Sequence, residues 1–344
     1  MAQRGSVPGS GEAVRRPRLA DVAVRAGVSS GLVSLVLRNQ PGPSAQTRAR
    51  VLEAAHELGY RADRTASLLA RRRSRHLGVM MNVHNTFHAE LVTHIDAAAS
   101  ARGYDLVLAA LTPTRDERRA VEALLDFRCE ALVLLGPDEL AGRLNALGQQ
   151  LPVVVIGRRI PSATARVVRA ADDQGVAQAV AHLAALGHRD IAFVDGGRGT
   201  IASDRRRGYR TAMRRHGRGG HIRIIPGDHT EEAGARAAQT LLAREGVPTA
   251  VVASNDRCAV GLLDAFIRLG VQVPGAISVV GYDDSMLARL AHVNLTTVSQ
   301  NAREQAGQAV ALAVEWLENA ATEPREVVLS PRLVVRSTTA PPRR

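Results

Sequence analysis

Residues 18–37 read RLADVAVRAGVSSGLVSLVL, and this stretch predicts two short helices joined by a tight turn. In its first half, apolar side chains recur at helical spacing, at Leu19, Val22, Ala23 and Ala26. Gly27 is a residue type that commonly ends a helix, and Ser29 is a good N-cap for a second helix that runs to about Arg38. Two short helices joined through a glycine turn predict a helix-turn-helix.

A third helix is expected over residues 45–59, with Ser44 as its N-cap. Its buried face is predicted to contain Val51, Leu52, Ala55 and Leu58. The three helices would form a small all-α headpiece over residues 18–62. The alternative is a generic three-helix bundle with a solvated basic face, but the turn, the caps and the charge all favour the helix-turn-helix.

In a helix-turn-helix the second helix enters the major groove of DNA with its N-terminal residues leading. The residues of this helix and its cap that we expect to contact DNA are Ser29, Ser30, Gly31, Ser34 and Leu35. Ser34 would bond a base edge or a phosphate, and Leu35 would meet a thymine methyl group. Phosphate contacts are expected from Arg38, Arg48, Arg50 and Arg61.

The charge of the chain is concentrated near its beginning. The net charge is +12, and residues 1–76 hold fourteen arginines against five acidic residues. A basic front end on a nearly neutral body indicates that one end binds a polyanion. The sequence contains no lysine, which excludes a Walker-type phosphate loop and a Schiff-base lysine.

The remaining composition points to a folded protein of the cytoplasm. Hydrophobic residues make up 45% of the 344 residues, enough for a sizeable core. The two cysteines, Cys129 and Cys258, stand alone and are expected to be buried and reduced. We see no apolar run of membrane-spanning length and no signal peptide, so no membrane association is expected.

Two segments flank the headpiece. Residues 1–17 are rich in Gly, Ser, Pro and Arg and predict a disordered basic tail. Residues 63–76 predict a hinge helix and linker, in which residues 64–70 are too short to form a stable helix alone in water. On DNA this helix would insert an apolar leucine into a minor-groove step, with arginines on the phosphates. A flexible basic linker is the alternative.

Residues 77–340 alternate short apolar runs with helical stretches, which predicts parallel sheets covered by helices on both faces. The predicted strands are residues 77–81, 104–111, 131–135, 152–156, 190–194, 222–225, 250–253, 277–280, 295–299 and 327–335. Two sheets, one in each of two lobes, fit this length better than one very large sheet. Ligands of such folds bind at the carboxyl ends of the strands, here between the lobes.

Polar residues gather at those strand ends. They include Asn82, Asn85, Asp172, Asp173, Asp195, Arg205, Ser254, Asn255, Asp283 and Gln300. Carboxylates, amides and an arginine that converge on a cleft suit a neutral polyhydroxylated ligand, and Phe87 would give it a stacking face. Asp256 and Asp284 are either helix N-caps or ligand contacts. His84 and His88 would clamp a metal only if they shared a helix, and a loop is favoured, so we expect no metal and no cofactor.

The headpiece resembles that of the lactose/purine-repressor (LacI/GalR) family. The matching segments are residues 21–29, 33–37, 47–51 and 64–70. The resemblance implies that Leu69 is the minor-groove wedge and that Arg64 belongs to the DNA-binding hinge helix. Two positions differ, because Leu35 stands where many members carry a polar or basic base-reader and Arg38 replaces the usual Asn. These differences predict altered base preferences in the operator.

The resemblance continues through the large domain. The segments that carry it are residues 205–209, 254–261, 278–284 and 295–300. It implies a two-lobed, periplasmic-binding-protein-like effector domain. The effector contacts that it implies are Arg205, Asn255 and Asp283, with Asn85, Phe87 and Asp173 as additions. Many members carry N-P-F-F where this chain has residues 85–88, NTFH, which predicts a different pocket chemistry there.

The sequence therefore predicts a transcriptional regulator, with a repressor favoured, that binds a palindromic operator as a homodimer under the control of a sugar or nucleoside. A solute-binding protein for sugar uptake shares the two-lobed fold but would need a signal peptide and no helix-turn-helix. An enzyme is not expected, because we find no phosphate-binding glycine loop and no G-x-S-x-G nucleophile elbow.

Overall fold

The computed structural model describes residues 17–37, 40–60, 73–138, 143–160, 164–243, 246–319 and 323–343. The chain divides into two compact units, Met1–Ser74 and Arg75–Arg344. Most of the predicted tail and residues 61–72 lie outside the described residues, so the structure gives no account of the predicted hinge helix.

The described residues of the first unit form three helices, α1 (Leu19–Ala26), α2 (Ser30–Leu37) and α3 (Ala45–Glu57). Gly27 ends α1 with a φ of +65°, a left-handed conformation that glycine adopts without strain. This turn bends the chain by 102° between α1 and α2. The predicted helix-turn-helix is therefore formed. No single helix among the described residues is long and apolar enough to span a membrane.

The core of the headpiece lies between the three helices. Its buried members are Val22, Ala23, Ala26, Val33, Val36, Val51, Ala54 and Ala55. The prediction that Leu52 is buried was wrong, because its side chain is 49% exposed. The buried stripe of α3 runs through Val51, Ala54 and Ala55 at helical spacing, which turns Leu52 outward.

The second unit contains two six-stranded sheets, each of which defines one lobe. The strands of lobe 1 are β1 (His76–Asn82), β2 (Asp105–Leu111), β3 (Ala131–Leu135), β4 (Val153–Ile156), β5 (Arg166–Ala170) and β11 (Glu326–Leu329). They are ordered β11-β5-β4-β3-β1-β2, and all pairs are parallel. The helices of this lobe are α4 (Thr86–Ser100), α5 (Glu117–Asp126), α6 (Leu144–Gln150) and α11 (Ala302–Asn319).

Lobe 2 repeats this plan. Its strands are β6 (Ile191–Val194), β7 (Arg223–Ile225), β8 (Ala250–Ala253), β9 (Ser278–Asp283), β10 (Thr297–Ser299) and β12 (Arg332–Val334). They are ordered β12-β10-β9-β8-β6-β7, and only β12 is antiparallel to its neighbour. The helices of this lobe are α7 (Asp172–Ala185), α8 (Thr200–Arg215), α9 (Glu231–Leu242) and α10 (Asp256–Arg268), with a short 3-10 turn at Gly219–His221.

The central strands of both sheets are buried on both faces. In β3, Ala131, Val133 and Leu135 pack into one apolar cluster, whereas Leu132 and Leu134 pack into another. The strand β8 divides its residues between two clusters in the same way. Continuous apolar runs of this kind are what a parallel sheet covered by helices requires. Both lobes therefore have the predicted three-layer structure.

The described chain crosses from one lobe to the other at three places, after β5, after β10 and between β11 and β12. The last crossing corrects the prediction of one strand over residues 327–335. Pro331 has no backbone N–H and separates two strands that belong to different sheets. The strand β5 was not predicted, because two arginines interrupt its apolar residues. Arg166 is nevertheless buried and donates to the Leu312 carbonyl over 2.9 Å.

Helices α9 and α10 pack at very close range through glycine. A Cβ atom at Gly261 would overlap the Glu231 carbonyl oxygen, and one at Gly234 would overlap the Cys258 carbonyl oxygen. Carbonyl oxygens of helical backbone cannot move aside as a side chain can. This packing therefore requires glycine at both positions.

We expect Gly261→Ala to lower the free energy of unfolding by about 2–4 kcal/mol, because the added methyl group forces the two helices apart. Gly307→Ala is the matched control, since Gly307 lies in α11 with open space around it. The control should raise stability by about 0.5–1 kcal/mol through helix propensity. Urea unfolding of both variants measures the difference, and equal effects would contradict the packing argument.

Candidate functional site

A cavity of about 480 Å³ lies in the large unit and takes its walls from both lobes. Lobe 1 contributes Asn82, His84, Asn85, Phe87, His88, Leu91, Leu111, Glu117, Leu135, Gly136, Asp138, Ile156, Gly157 and Arg158. Lobe 2 contributes Arg198, Ile201, Arg205, His229, Thr230, Asn255, Arg257 and Asp283, and the crossing after β10 adds Gln300. These residues follow the carboxyl ends of the strands, as the sequence predicted.

Five of the six predicted effector contacts line this cavity, namely Asn85, Phe87, Arg205, Asn255 and Asp283. The sixth, Asp173, does not. It lies in the first turn of α7, where its carboxylate pairs with Arg207 at 3.0 Å. A helix N-terminus favours a carboxylate, so this position is explained by local charge alone. Proximity to the end of β5 along the chain did not bring Asp173 into the cavity.

The wall of lobe 1 is organised by the start of α4. Asn85 is the N-cap of this helix, and its side-chain oxygen accepts hydrogen bonds from the backbone N–H groups of Phe87 and His88 at 3.0 and 3.4 Å. This cap directs the Phe87 ring into the wall, where it is 6% exposed. The ring can stack on an apolar face of a ligand, as predicted.

His88 presents a neutral imidazole to the same wall. Its Nδ1 accepts a hydrogen bond from the Asn82 backbone N–H at 3.1 Å, so the neutral ring carries its proton on Nε2. Burial lowers the pKa of His88 to about 4, and burial together with Arg205 lowers the pKa of His229 to about 4. His84 precedes α4 whereas His88 lies within it, so the two do not form a helical metal clamp.

The wall of lobe 2 is built around the buried guanidinium of Arg205. Its Nε donates to Asp172 Oδ1 at 2.7 Å, and its Nη1 donates to the Ser254 carbonyl. Its Nη2 lies 3.8 Å from Asp283 Oδ1, and the guanidinium stands 3.7 Å above the centre of the Tyr282 ring. Arg205 therefore anchors the wall and also borders the ligand space.

Asp283 and Asp284 form a turn with unusual backbone angles. Their φ values are +116° and +54°, which residues other than glycine rarely adopt. Gln300 Nε2 donates to Asp283 Oδ1 at 2.6 Å, and burial raises the pKa of Asp283 well above its ordinary value. Backbone strain of this kind is often found where a side chain must be held for function. The turn holds the Asp283 carboxyl at the cavity wall.

Asp256 and Asp284 are neither helix N-caps nor cavity residues. Asn255 caps α10 by accepting from the Cys258 N–H at 2.9 Å. Asp256 accepts from the Thr297 hydroxyl at 2.5 Å and from the Ser285 N–H at 2.7 Å. Asp284 pairs with Arg336 at 2.6 Å. Both carboxylates therefore hold the loop after β9 in place.

The arginines of the cavity largely have carboxylate partners already. Arg158 pairs with Asp138, Arg257 pairs with Glu231, and Arg205 is held between two aspartates. Among the cavity residues described, Arg198 is exposed and makes no ion pair of its own. A cavity with such balanced charge favours a neutral ligand over a strongly charged one.

Sequence reasoning did not identify several cavity residues. These are Glu117, Asp138, Arg158, Arg198, His229, Thr230 and Arg257. Asp138 and Arg158 lie just after β3 and β4, so applying the strand-end rule to every strand would have found them. His229 and Thr230 follow β7 in the same way. No local signal distinguishes Glu117, because an acidic residue in the first turn of an amphipathic helix is common.

Five of the predicted DNA-contact residues belong to α2 or directly precede it. Ser29, Ser30 and Gly31 are exposed at the start of α2, and Ser34 and Leu35 are half-buried. Arg48 donates to the carbonyls of Val36 and Gln40 at 3.3 and 2.8 Å, so part of its guanidinium closes the end of α2. The remaining predicted contacts, Arg38, Arg64 and Leu69, lie outside the described residues, as does Arg61.

Comparison with known proteins assigns a family to each unit. Residues 18–63 match the bacterial regulatory proteins of the lacI family, and residues 180–339 match a periplasmic binding protein-like domain. The chain is 35% identical to the HTH-type transcriptional regulator AscG of Escherichia coli (strain K12), over 78% of this chain and 82% of that protein.

Two solved structures extend the comparison. A LacI transcriptional regulator from a Rhodococcus species is 45% identical with a TM-score of 0.75, and the match covers 77% of this chain and 98% of that one. The lac repressor dimer bound to operator and the anti-inducer ONPF is 29% identical with a TM-score of 0.80, over 95% and 100% of the two chains. The fold class and the family resemblance predicted from the sequence are confirmed.

The two cavity histidines predict a dependence of stability on pH. Each has a folded pKa near 4, below the unfolded value of 6.5, so only the unfolded chain takes up a proton between these values. The folded protein therefore keeps its full free energy of unfolding above pH 6.5 and loses part of it as the pH falls towards 4. Relative to His88→Gln or His229→Gln, the unsubstituted protein should lose roughly 1 kcal/mol per pH unit in this window.

Urea unfolding at several pH values measures this slope. His292→Gln serves as the control, because His292 is exposed and lies outside the cavity. A slope that is the same in all four proteins would show that neither cavity ring is held neutral.

Proposed function

The chain belongs to the LacI family of bacterial transcriptional regulators, and from this premise we propose that it is a repressor of metabolic genes controlled by a neutral sugar. The carrying observation is that one chain contains both a helix-turn-helix and, in its other unit, a cavity of about 480 Å³ lined by hydroxyl-matching groups. We propose that the protein acts in the cytoplasm, where its DNA is, and has no catalytic role. The relatives reported above are named as regulators.

The proposed DNA contacts follow from the exposure of α2. Its N-terminal residues are open to a partner, while Val33 and Val36 anchor the opposite face in the headpiece core. A helix held in this way can enter the major groove without losing its packing. The lac repressor, with which the chain aligns over nearly its full length, was solved as a dimer on operator DNA. We propose the same arrangement here, with one headpiece on each half-site of a palindrome.

The proposed effector class follows from the cavity walls. The wall contains the amides of Asn85 and Asn255, whose oxygens cap helices while their NH2 groups can donate to a ligand, and the carboxyl of Asp283. The arginine charges are largely matched by carboxylates. Sugar hydroxyls both donate and accept, which suits such a mixed set of partners. A nucleoside is the second candidate, favoured by the Phe87 ring as a stacking surface. We propose that the bound ligand shifts the balance between lobe arrangements and thereby changes operator affinity.

The DNA contacts can be separated by their dependence on sequence and salt. Arg50→Gln should weaken binding to operator and to random DNA alike and reduce the salt slope by about 1, because Arg50 is proposed to contact a phosphate. Leu35→Ala should instead reduce discrimination at one base pair, by about 1 kcal/mol, because an apolar contact with a thymine methyl group is lost.

Fluorescence anisotropy on the DNA upstream of the protein's own gene, with excess random competitor, measures both effects. Arg268→Gln is the control, since Arg268 lies on α10 in the other unit and pairs only with Asp264 among the described residues. If excess random DNA displaced all of the unsubstituted protein from the upstream DNA, sequence-specific recognition would be refuted.

The effector proposal is tested by adding glucose, galactose, ribose, cellobiose, adenosine and glucuronate in turn to the same assay. We expect one neutral sugar to change operator affinity, with either sign. Asp283→Gly should weaken binding of that sugar roughly tenfold, because the substitution removes the carboxyl group. The backbone should keep its conformation, because glycine accepts a φ of +116° without strain. Asp264→Asn, on the surface of lobe 2, is the control. A response to adenosine or glucuronate alone would contradict the neutral-sugar proposal.

A further inference from the structure

Among the described residues, two ion pairs join the lobes directly. Arg289 of lobe 2 donates through Nη2 to Glu90 Oε1 of lobe 1 at 2.5 Å. Arg159 of lobe 1 donates through Nη2 to Asp204 Oδ1 of lobe 2 at 3.2 Å. Neither pair is needed to close a sheet or a core, because each side chain projects from its lobe towards the other. Both pairs exist only while the lobes are close together.

The order of the strands places these pairs on two sides of the cleft. Glu90 belongs to the helix after β1, and Arg159 follows β4, with β3 between those strands. In lobe 2, Arg289 follows β9 and Asp204 belongs to the helix after β6, with β8 between. The central strands β3 and β8 therefore lie between the two pairs. An opening motion of the lobes must break at least one of them.

The guanidinium of Arg289 makes a second contact, within lobe 2, in addition to its ion pair with Glu90. Its Nη1 donates to the Asp284 carbonyl at 2.5 Å, within the turn whose φ values at Asp283 and Asp284 are positive. Arg336 holds the Asp284 carboxylate at 2.6 Å. One guanidinium thus connects the turn that carries the cavity carboxyl of Asp283 to the helix α4 of the opposite lobe.

The other end of this connection also leads to the cavity. Glu90 lies in α4, whose cap Asn85 and first-turn residues Phe87 and His88 line the cavity wall of lobe 1. These residues and Glu90 are parts of one helix, so a displacement at Glu90 is transmitted to them. Arg289 therefore connects the two walls of the cavity without itself lining the cavity.

We propose that Arg289 is a positioning residue that latches lobe 2 to α4 of lobe 1, and so couples the Asp283 turn to the closed arrangement of the lobes. A ligand that pulls on Asp283 would strengthen or release this latch, an extension that rests on the proposed function. The latch itself consists only of contacts within the chain.

The strength of the latch is suited to a reversible contact. The Glu90 side chain is 17% exposed, and that of Arg289 is 47% exposed. A pair whose arginine is about half open to water is weak and is screened by salt. By contrast, Asp204 keeps a second partner, Arg207, at 2.6 Å when Arg159 leaves. The Arg289–Glu90 pair is thus the contact whose loss leaves Glu90 without an ionic partner in the described chain.

Hydrogen–deuterium exchange of the full, ligand-free chain tests the latch independently of any effector. In Glu90→Gln, a substitution in lobe 1, we expect amide exchange to rise by about three- to fivefold at residues 283–290 of lobe 2. In Arg289→Gln, a substitution in lobe 2, the rise should occur at residues 86–92 of lobe 1. The charge-reversed pair Glu90→Arg with Arg289→Glu should restore slow exchange at residues 86–92, because the ion pair to α4 is rebuilt, but not at residues 283–290, because a glutamate cannot donate to the Asp284 carbonyl.

Two further variants separate a latch from a local structural role. Arg289→Lys should release the connection partly, because one ammonium group cannot hold Glu90 and the Asp284 carbonyl in the planar geometry of a guanidinium. Glu122→Gln removes an exposed ion pair with Arg118 that lies wholly within α5 and should change neither segment. Raising the salt concentration should reproduce the effect of Glu90→Gln.

Exchange that rises only in the lobe carrying the substitution, or in neither lobe, would overturn the proposal. A charge-reversed pair in which residues 86–92 exchange as fast as in Arg289→Gln would also overturn it. These outcomes are separate from the sugar and DNA assays. If every sugar failed to change operator affinity while the reciprocal exchange was observed, the latch would stand and the proposed effector class would fall.

Discussion

The buried guanidinium of Arg205 is the interaction on which the ligand-binding half of the molecule depends. It joins four elements at one point, because it extends from α8 to a carboxylate of α7, a carbonyl at the end of β8 and the ring and carboxyl at the end of β9. A charge removed from water is costly unless all of its donors are satisfied. Burial raises the pKa of Asp172 and Asp283, and the charge of Arg205 opposes that rise. The wall is stable because these opposing effects are balanced locally.

That balance has a consequence for recognition. Since most of the arginine charge is matched within the protein, a ligand is met by neutral imidazoles, amides and a carboxyl rather than by a strong field. Recognition then depends on where hydrogen bonds fall, and the positive φ of Asp283 shows that the backbone is constrained to place one of them. The same turn is held from outside by Arg336 and Arg289, so cavity geometry and lobe contact share one short segment.

Local and repetitive structure was the most predictable from the sequence, and the predictions that failed have physical causes. The helix-turn-helix was predictable because Gly27 and the apolar spacing act within a few residues. The burial of Leu52 was misjudged because a shift of one residue turns a helical side chain by 100°. Strand β5 was missed because Arg166 and Arg169 hide its apolar pattern, although tertiary contacts satisfy both charges. Asp173 lies outside the cavity wall, where its carboxylate pairs with Arg207 of α8.

The amino-acid sequence by itself determined the two-part organisation, the family, the strand-end location of the cavity and five residues of its wall, which are five of the six predicted effector contacts. These follow from periodicity, capping and motifs, all of which act over short distances along the chain. Only the tertiary structure decided which charges neutralise one another, which histidine nitrogen carries a proton and which residues join the lobes. Glu90 and Arg289 are 199 positions apart. Such pairings arise when two separately formed lobes are brought together, and no local pattern records them.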